Sequence, residues 1–486
     1  MYGISNIRFG GIASGLDTDG IVKKLMQVEQ MKIDRFQQQK TLLEWKRADY
    51  RSINNQLRTF REGASWNLSM EKTFMSKMAT TTNDSFFNVT ATNNAAAGNY
   101  SFEVKQLAEG VTVAGDLTGK SVEDFFTENN IEEVTFAING QDVTISKGDD
   151  YTDIVDKINA LSAETGVRAI YEGSMERFFL FTEATGVGAK IEITDNNSFT
   201  NQVLGLEESV NQTGKNAIMA FNGIDLEFTS NSFEFIGLNF DLKKAALGEI
   251  VNVQVSNNVD QIVDEIKAFV ETYNNIIDDL GTKLSEKRYR DFPPLTEEQK
   301  ADMKEKDIEA WEEKARSGLF RTDPLLSNIA SDMRMTVGNA VTGLEGKYKT
   351  LSSIGITTSP DWKDNGKLYI DEDKLRAALA EDPDGVAKIF NNDEANSQGI
   401  AKQLNSKITG YFEKIATTAG RATDIYDESY LGKEIMNMDE RIDTMQLRMQ
   451  MLEEKYWRQF AAMETALQQM QSQGDWIAAQ LGVGLA

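Results

Sequence analysis

The chain of 486 residues is long enough for about three domains, and its 51 basic and 76 acidic side chains give a net charge of −25. A surface this acidic repels nucleic acid and anionic membranes, and no apolar run approaches the ~20 residues that cross a bilayer, so we expect neither as a partner. The absence of cysteine and histidine excludes disulfides, thiolate and HExxH metal sites and serine–histidine triads, so composition argues against an enzyme and against a metal or cofactor site.

The first segment, residues 1–75, is predicted to be an N-terminal leg, with a disordered, glycine-rich tip followed by a long helix. The first twenty residues lack the apolar stretch of a cleavable secretory signal. Asp17 or Thr18 can cap a helix that continues through Ile21, Leu25 and Val28. Farther along, apolar residues follow the heptad spacing of a coiled-coil seam. These predicted seam residues are Phe36, Leu43, Tyr50, Ile53, Leu57 and Phe60.

Strand-like patterns begin at residue 76. Residues 76–109 are predicted to be strands that join the leg to a β-rich head at residues 110–255. Asn139-Gly140, which lies between two alternating apolar runs, is the strongest hairpin signal in the chain. Asn222-Gly223 repeats that signal more weakly. The patterns do not decide whether the head is one domain or two subdomains.

Residues 256–425 are predicted to form a helical leg domain with a small β-hairpin near 351–370. The apolar residues between 262 and 280 form a broad stripe, which is typical of a helix packed into a core.

The segment Asp361 to Glu372 resembles a calcium-binding EF-hand loop. However, Lys363 occupies a position where a ligand oxygen is required. A turn at Asn365-Gly366 between two strands explains the segment better than a calcium site.

The last segment, residues 426–486, is predicted to be a C-terminal coiled-coil leg. Its apolar residues recur in steps of three and four for about five heptads, which indicates a helix that needs a long partner. The predicted seam residues are Ile435, Met438, Ile442, Met445, Met449, Leu452 and Tyr456.

The partner predicted for this helix is the N-terminal helix, within residues 21–70. Lys32 to Glu62 contains eight basic and four acidic residues, whereas Lys433 to Lys455 contains four basic and six acidic residues. Opposite net charges favour pairing. The predicted fold class is therefore α+β multidomain, with a terminal α-helical coiled-coil leg, a helical bundle with a small β-hairpin, and one or more inserted β-rich head domains. Packing of each helix on its own neighbouring domain is the alternative.

Several segments together resemble the flagellar hook-associated protein 2 family of filament-capping proteins. Gly10 to Met26 (GGIASGLDTDGIVKKLM) resembles the N-terminal signature of the family, and Phe102 to Ala108 resembles the end of its N-terminal region. Phe136 to Val167 is similar to the insertion motif of flagellins and caps. Ala217 to Gly237 and Leu351 to Ile356 resemble parts of the C-terminal region. The order and spacing of these segments, over nearly the whole chain, make the resemblance specific.

The resemblance implies a secreted structural protein without catalytic activity or cofactor, at the distal tip of the bacterial flagellar filament. Members of the family assemble as a ring-shaped homo-oligomer, with about five subunits expected, promote folding and insertion of exported flagellin, and prevent its loss. The resemblance also implies export by the flagellar type III apparatus and an export chaperone that binds the C-terminal helix.

The predicted contacts with the filament or flagellin lie at the two ends of the chain. Ile477 and Leu481 lie beyond the coiled coil with nothing local to cover them, which favours a docking surface over a frayed tail. The full set of predicted contact residues is Gly11, Ser14, Gly15, Leu16, Asp17, Ile477 and Leu481.

Two other functions stay open at this point. A tip adhesin for host mucus glycans could use aromatic residues such as Phe178 and Phe179, although aromatic residues in strands are more often part of a core. Another axial protein, such as a hook–filament junction protein, is the second alternative, and the order of motifs argues against it.

Overall fold

The computed structural model describes residues 15–207, 210–394 and 397–480. It divides into two compact units: unit 1, which is Met1–Phe74 with Val263–Ala486, and unit 2, which is Met75–Ile262. Long terminal helices, a helical bundle and an inserted β-rich unit confirm the predicted α+β multidomain class.

Many helices begin at a residue whose side chain accepts a backbone N–H of the first turn, as the capping rule requires. Asp17, Ser121 and Asp323 are examples. In chain order, the helices of the described residues are α1 (Thr18–Glu62), α2 (Ala64–Ser69), α3 (Glu71–Phe74), α4 (Val122–Asn129), α5 (Tyr151–Ala160), α6 (Ser162–Thr165), α7 (Phe199–Gln202), α8 (Val259–Ser285), α9 (Glu297–Ala301), α10 (Glu305–Arg316), α11 (Pro324–Gly338), α12 (Glu372–Glu381), α13 (Pro383–Asn391), α14 (Ile400–Ala419) and α15 (Tyr430–Gln480).

The strands pair in antiparallel fashion, which lets one face of a sheet pack on a core and the other meet solvent. They are β1 (Lys77–Thr81), β2 (Phe87–Ala91), β3 (Gly98–Gln106), β4 (Thr112–Asp116), β5 (Glu133–Ile138), β6 (Gln141–Ser146), β7 (Val167–Glu172), β8 (Arg177–Thr182), β9 (Lys190–Thr194), β10 (Asn211–Thr213), β11 (Ala217–Phe221), β12 (Ile224–Phe228), β13 (Ser232–Phe235), β14 (Leu238–Leu242), β15 (Val251–Asn257), β16 (Ile356–Thr358) and β17 (Leu368–Ile370). The sheets run β1-β15-β3-β11-β12, β10-β9-β5-β6, β13-β14-β2, β4-β8-β7 and β16-β17.

Four aromatic side chains form the centre of the helical bundle in unit 1. The ring of Phe269 on α8 lies 5.2 Å from Phe60 of α1 and 6.0 Å from Phe390 of α13. Phe74 of α3 stacks on Phe390 at 5.9 Å. The apolar stripe predicted between residues 262 and 280 supplies the α8 side of this core, and Phe269 is completely buried.

The hairpin β16–β17 is present where the sequence predicts it. Asn365 and Gly366, with φ angles of 54° and 86°, form the turn before β17. Both angles lie in the left-handed region that asparagine and glycine tolerate best, so the segment that resembles an EF-hand loop is a turn.

The described residues of unit 2 form two hydrophobic clusters. The first includes Phe126, Phe136, Phe178 and Phe199 and is formed by elements between β4 and residue 210. The predicted Asn139-Gly140 hairpin is confirmed, because β5 and β6 pair with only these two residues between them.

The second cluster corrects a predicted boundary. Phe87 and Phe102, from the 76–109 segment, pack with Phe240 of β14. In addition, β1 and β3 both pair with β15. The strands of 76–109 therefore share one core with residues 217–257, and they are not merely a connection ahead of a head at 110–255.

Candidate functional site

The chain ends meet as an antiparallel pair of helices, which we call the leg: α1 and α15. Lys40 Nζ lies 2.6 Å from Asp439 Oδ1, and Arg51 Nη2 lies 2.8 Å from Asp427 Oδ2. From the first ion pair to the second, the residue number rises from 40 to 51 on α1 and falls from 439 to 427 on the segment that it contacts. The two helices therefore run in opposite directions. The hydrogen bond to Asp439 is the largest of the effects that raise the pKa of the Lys40 ammonium group.

Asp427 fixes the start of α15 against α1. Burial opposes its ionisation, but hydrogen bonds from Ser429 and the charges of Arg51 and Arg47 outweigh burial and lower its pKa. The Arg47 guanidinium is 3.3 Å from the same carboxylate. A partly buried carboxylate with two guanidinium partners is a strong local clamp.

The predicted seam residues of α15 all lie on the face of the helix that is least exposed to solvent. Ile435 and Ile442 are buried and the other five, between Met438 and Tyr456, are half-buried, while their neighbours are mostly exposed. Met463 continues the half-buried row in phase with the heptad count from Ile435, whereas half-buried Phe460 and Leu467 each lie one residue beyond the position that the count gives.

The predicted seam residues of α1 fall into two groups. Phe36 and Leu43 are half-buried, and Tyr50 is buried, within the length of α1 that faces α15. Ile53, Leu57 and Phe60 are also buried, but α15 begins opposite Arg47 and Arg51. These three residues therefore belong to the bundle rather than to the seam, where Phe60 contacts Phe269 of α8.

Sequence reasoning chose the wrong face for the first turns of α1. Ile21, Leu25 and Val28 are 36%, 38% and 56% exposed, whereas Val22 and Ile33 are 2% and 1% exposed. The signal that finds the buried face is the three-and-four spacing counted back from Phe36, through residues 33, 29, 26 and 22.

A buried polar network joins α1 to the bundle. Tyr50 donates its hydroxyl proton to Asp323 over 2.6 Å, and Lys46 lies 3.3 Å from the same carboxylate. Burial, and then the bond to Asp323, raises the pKa of Tyr50 far above its ordinary value. Next to it, Asp49 is paired with Arg316 over 2.6 Å. Buried charges are tolerated only when paired in this way.

Those predicted contact residues that the structure describes lie at the outer end of the leg. Gly15, Leu16 and Asp17 are exposed, and Asp17 caps α1 by accepting the Gly20 N–H over 2.9 Å. Ile477 is 50% exposed, in a final stretch of α15, residues 468–480, that is exposed throughout. The remaining contact residues, Gly11, Ser14 and Leu481, lie outside the described residues.

The described residues contain no helix that is both long and apolar enough to cross a membrane. Over the same described ranges, no group of three or more acidic side chains is arranged to hold a metal ion. The leg itself has an inner end held by the Asp427 ion pairs, a seam whose burial decreases along α15, and an exposed outer end.

Three family models match the chain. The one described as flagellar hook-associated protein 2 C-terminus matches residues 214–472, and the N-terminus model matches residues 14–110. The flagellin hook IN motif matches residues 135–184.

Relatives agree over the full length. Flagellar hook-associated protein 2 of Halalkalibacterium halodurans is 31% identical, over 96% of this chain and 98% of the relative. The protein of the same name from Escherichia coli K12 is 25% identical, over 99% and 98%. A crystal structure of the D1-D2-D3 domains of the Escherichia coli flagellar cap protein shares the fold, with a TM-score of 0.55 at 22% identity, over 80% of this chain and 99% of that one. By the C-terminal family model, which spans more than half of its residues, and by this full-length relative, the chain belongs to the flagellar hook-associated protein 2 family.

Proposed function

We propose that the chain is a structural protein that caps the distal tip of the bacterial flagellar filament, outside the cell. Full-length membership of the family supports this role. The structural observation that carries it is the antiparallel pairing of the chain ends into one leg with an exposed apolar end. The role is one of assembly rather than catalysis.

In detail, the cap promotes folding and insertion of exported flagellin and prevents the loss of subunits. The exposed ends of the leg, with Leu16 and Ile477, are the proposed contacts with flagellin in the filament. Exposed apolar side chains at the outer end of the leg suit transient docking, because they gain free energy only when a partner covers them.

The proposed partners follow from the same role. Copies of the chain assemble as a ring, and export uses the flagellar type III apparatus with a chaperone on the C-terminal helix. Nucleic acid and membranes are not among the partners, as the net charge of −25 argues.

No described feature favours the adhesin. Phe178, one of the two aromatic residues considered for glycan binding, is completely buried in the first cluster of unit 2. A buried ring cannot stack on a sugar.

Immunogold labelling of intact flagella with an antibody to this chain tests the capping role. We expect label at the distal tip only, with cells that lack the protein as the control. Label at the hook junction or along the filament would contradict the proposal and would assign the leg to a permanent element of the filament.

A further inference from the structure

We propose that neighbouring copies of this chain associate side by side through two oppositely charged faces of the leg. This interface deepens the self-association in the proposed function and rests on it for the closure of the ring.

The basic face is a row on α15. Arg441, Arg448 and Lys455 each directly precede a seam residue and recur every seven residues. All three side chains are exposed, and within the described part of the chain none of them has an ion pair or hydrogen bond. The row is therefore available to a partner, and it stands out in a chain with a net charge of −25.

The acidic face is on the other side of the same helix. Asp439, Asp443 and Glu453 each directly follow a seam residue. Successive residues of an α-helix are rotated by about 100°, so residues just before and just after a seam position lie on opposite sides of the seam. Asp443 and Glu453 are exposed, and of these three carboxylates only Asp439 has an ion pair among the described residues, with Lys40.

The N-terminal helix extends both faces. In an antiparallel pair, residues that precede seam positions on the two helices lie on the same side of the pair. On α1 these include Arg35, which is exposed, and the exposed apolar residues Leu25 and Val28. On the acidic side, Asp34 and Glu44 follow the seam residues at 33 and 43 and are partly exposed.

A second copy of the chain fits these faces because it carries both at the same height along the leg. Copies rotated about an axis parallel to the leg place the basic face of one against the acidic face of the next. Such a head-to-tail contact leaves a free face at each end until a ring closes. A two-fold contact between identical faces about that axis would instead oppose like charges. The charge pattern thus selects a ring-forming contact.

Three variants of the full chain test the interface. The basic-face variant is Arg441→Glu, Arg448→Glu and Lys455→Glu. The acidic-face variant is Asp443→Lys, Gln446→Lys and Glu453→Lys, in which Gln446 is an exposed residue that follows the seam residue Met445 on the acidic side. A control, Lys244→Glu with Lys304→Glu and Lys306→Glu, changes the net charge as much as the basic-face variant, at exposed sites outside α1 and α15. Each variant is expected to fold, because all the altered side chains are exposed. Circular dichroism checks this.

Sedimentation velocity over a range of concentrations, at about 0.05 and 0.5 M salt, gives the mass of each assembly. We expect each face variant to associate at least about tenfold more weakly than wild type, because attraction becomes repulsion. The control should match wild type, and high salt should weaken wild-type association. An equimolar mixture of the two face variants should associate again, as assemblies in which the two variants alternate, because acidic faces then meet basic ones.

A basic-face variant that assembles like wild type would overturn the interface, as would a mixture that stays dissociated or a wild-type chain that is monomeric throughout. These results are separable from the capping role. Tip labelling together with unchanged assembly of the basic-face variant rejects only this interface, whereas label away from the tip rejects the proposed function itself.

Discussion

One asparagine side chain holds the hairpin β16–β17 on α8. Asn274 accepts the N–H of Leu368 over 2.7 Å and donates to its C=O over 2.8 Å, as a neighbouring strand would. Asn231 does the same for Ala108 of unit 2, over 2.7 and 2.9 Å. The carboxamide has a donor and an acceptor side by side, which is why this residue can replace a missing strand partner.

Replacing Asn274 with leucine should lower the free energy of unfolding of unit 1 by about 1–3 kcal/mol, because the backbone groups of Leu368 lose their partners. Urea unfolding of the full chain measures this change. Asn275→Leu is the matched control, since Asn275 is the adjacent residue and is exposed. Equal effects of the two changes would show that the hairpin does not depend on the paired bonds.

The Tyr50 hydroxyl makes the leg sensitive to alkaline pH. Burial and the bond to Asp323 raise its pKa in the folded state. A raised folded-state pKa means that its contribution to stability is complete below the unfolded value of about 10 and is lost as the pH rises above it. Tyr50→Phe should therefore reduce the fall in the free energy of unfolding above that pH by up to about 1.4 kcal/mol per pH unit. Chemical unfolding between pH 9 and 11 measures this slope. Tyr426→Phe, at a tyrosine that is 84% exposed, should leave the slope unchanged.

At the scale of elements, sequence periodicity was sufficient for α15 and insufficient for the start of α1. Ile435 to Tyr456 lie in one apolar row, with few competing apolar neighbours. In α1, Ile21, Leu25 and Val28 form a second apolar row, one residue out of phase with Val22. Hydropathy alone cannot choose between two such rows, because the choice depends on which row continues into Phe36 and the bundle.

The two rows of α1 can be distinguished by a pair of substitutions. Ile33→Ala should destabilise unit 1 by about 2–4 kcal/mol, since Ile33 is 1% exposed and the change leaves a cavity. Val28→Ala should change stability by less than about 0.5 kcal/mol, since Val28 is 56% exposed. Thermal unfolding followed by circular dichroism compares them. A larger loss of stability for Val28→Ala than for Ile33→Ala would contradict the assignment, because it would mean that the row with Val28 is the buried one.

Long-range strand pairing is the other element that the sequence could not supply. The Asn139-Gly140 hairpin was predictable because its two strands are adjacent in the chain. The pairing of β1 with β15 joins Lys77 to Asn257, and no local signal carries that register. The boundary at residue 109 was misplaced for this reason.

At the scale of the whole molecule, the inner end of the leg is buried and ion-paired, whereas the seam farther out is only half-buried. The inner end has the Asp427 clamp and buried Ile435 and Ile442, whereas the following seam residues include half-buried Met445 and Met449. Methionine packs with little geometric demand, so such a seam can accommodate different neighbours at low cost. The proposed contact of the leg with flagellin in the filament would use that tolerance.

Replacing both Met445 and Met449 with leucine should stiffen this part of the seam, because leucine has fewer rotamers and a more defined shape. We expect slower filament growth at unchanged or higher leg stability, measured as filament length against time in cells that carry the variant. The control is Met436→Leu with Met451→Leu, at positions that are 56% and 64% exposed. If the seam variant and the control grow filaments at the wild-type rate, the two methionines serve only as packing, and the mobility of the leg must lie elsewhere along α15.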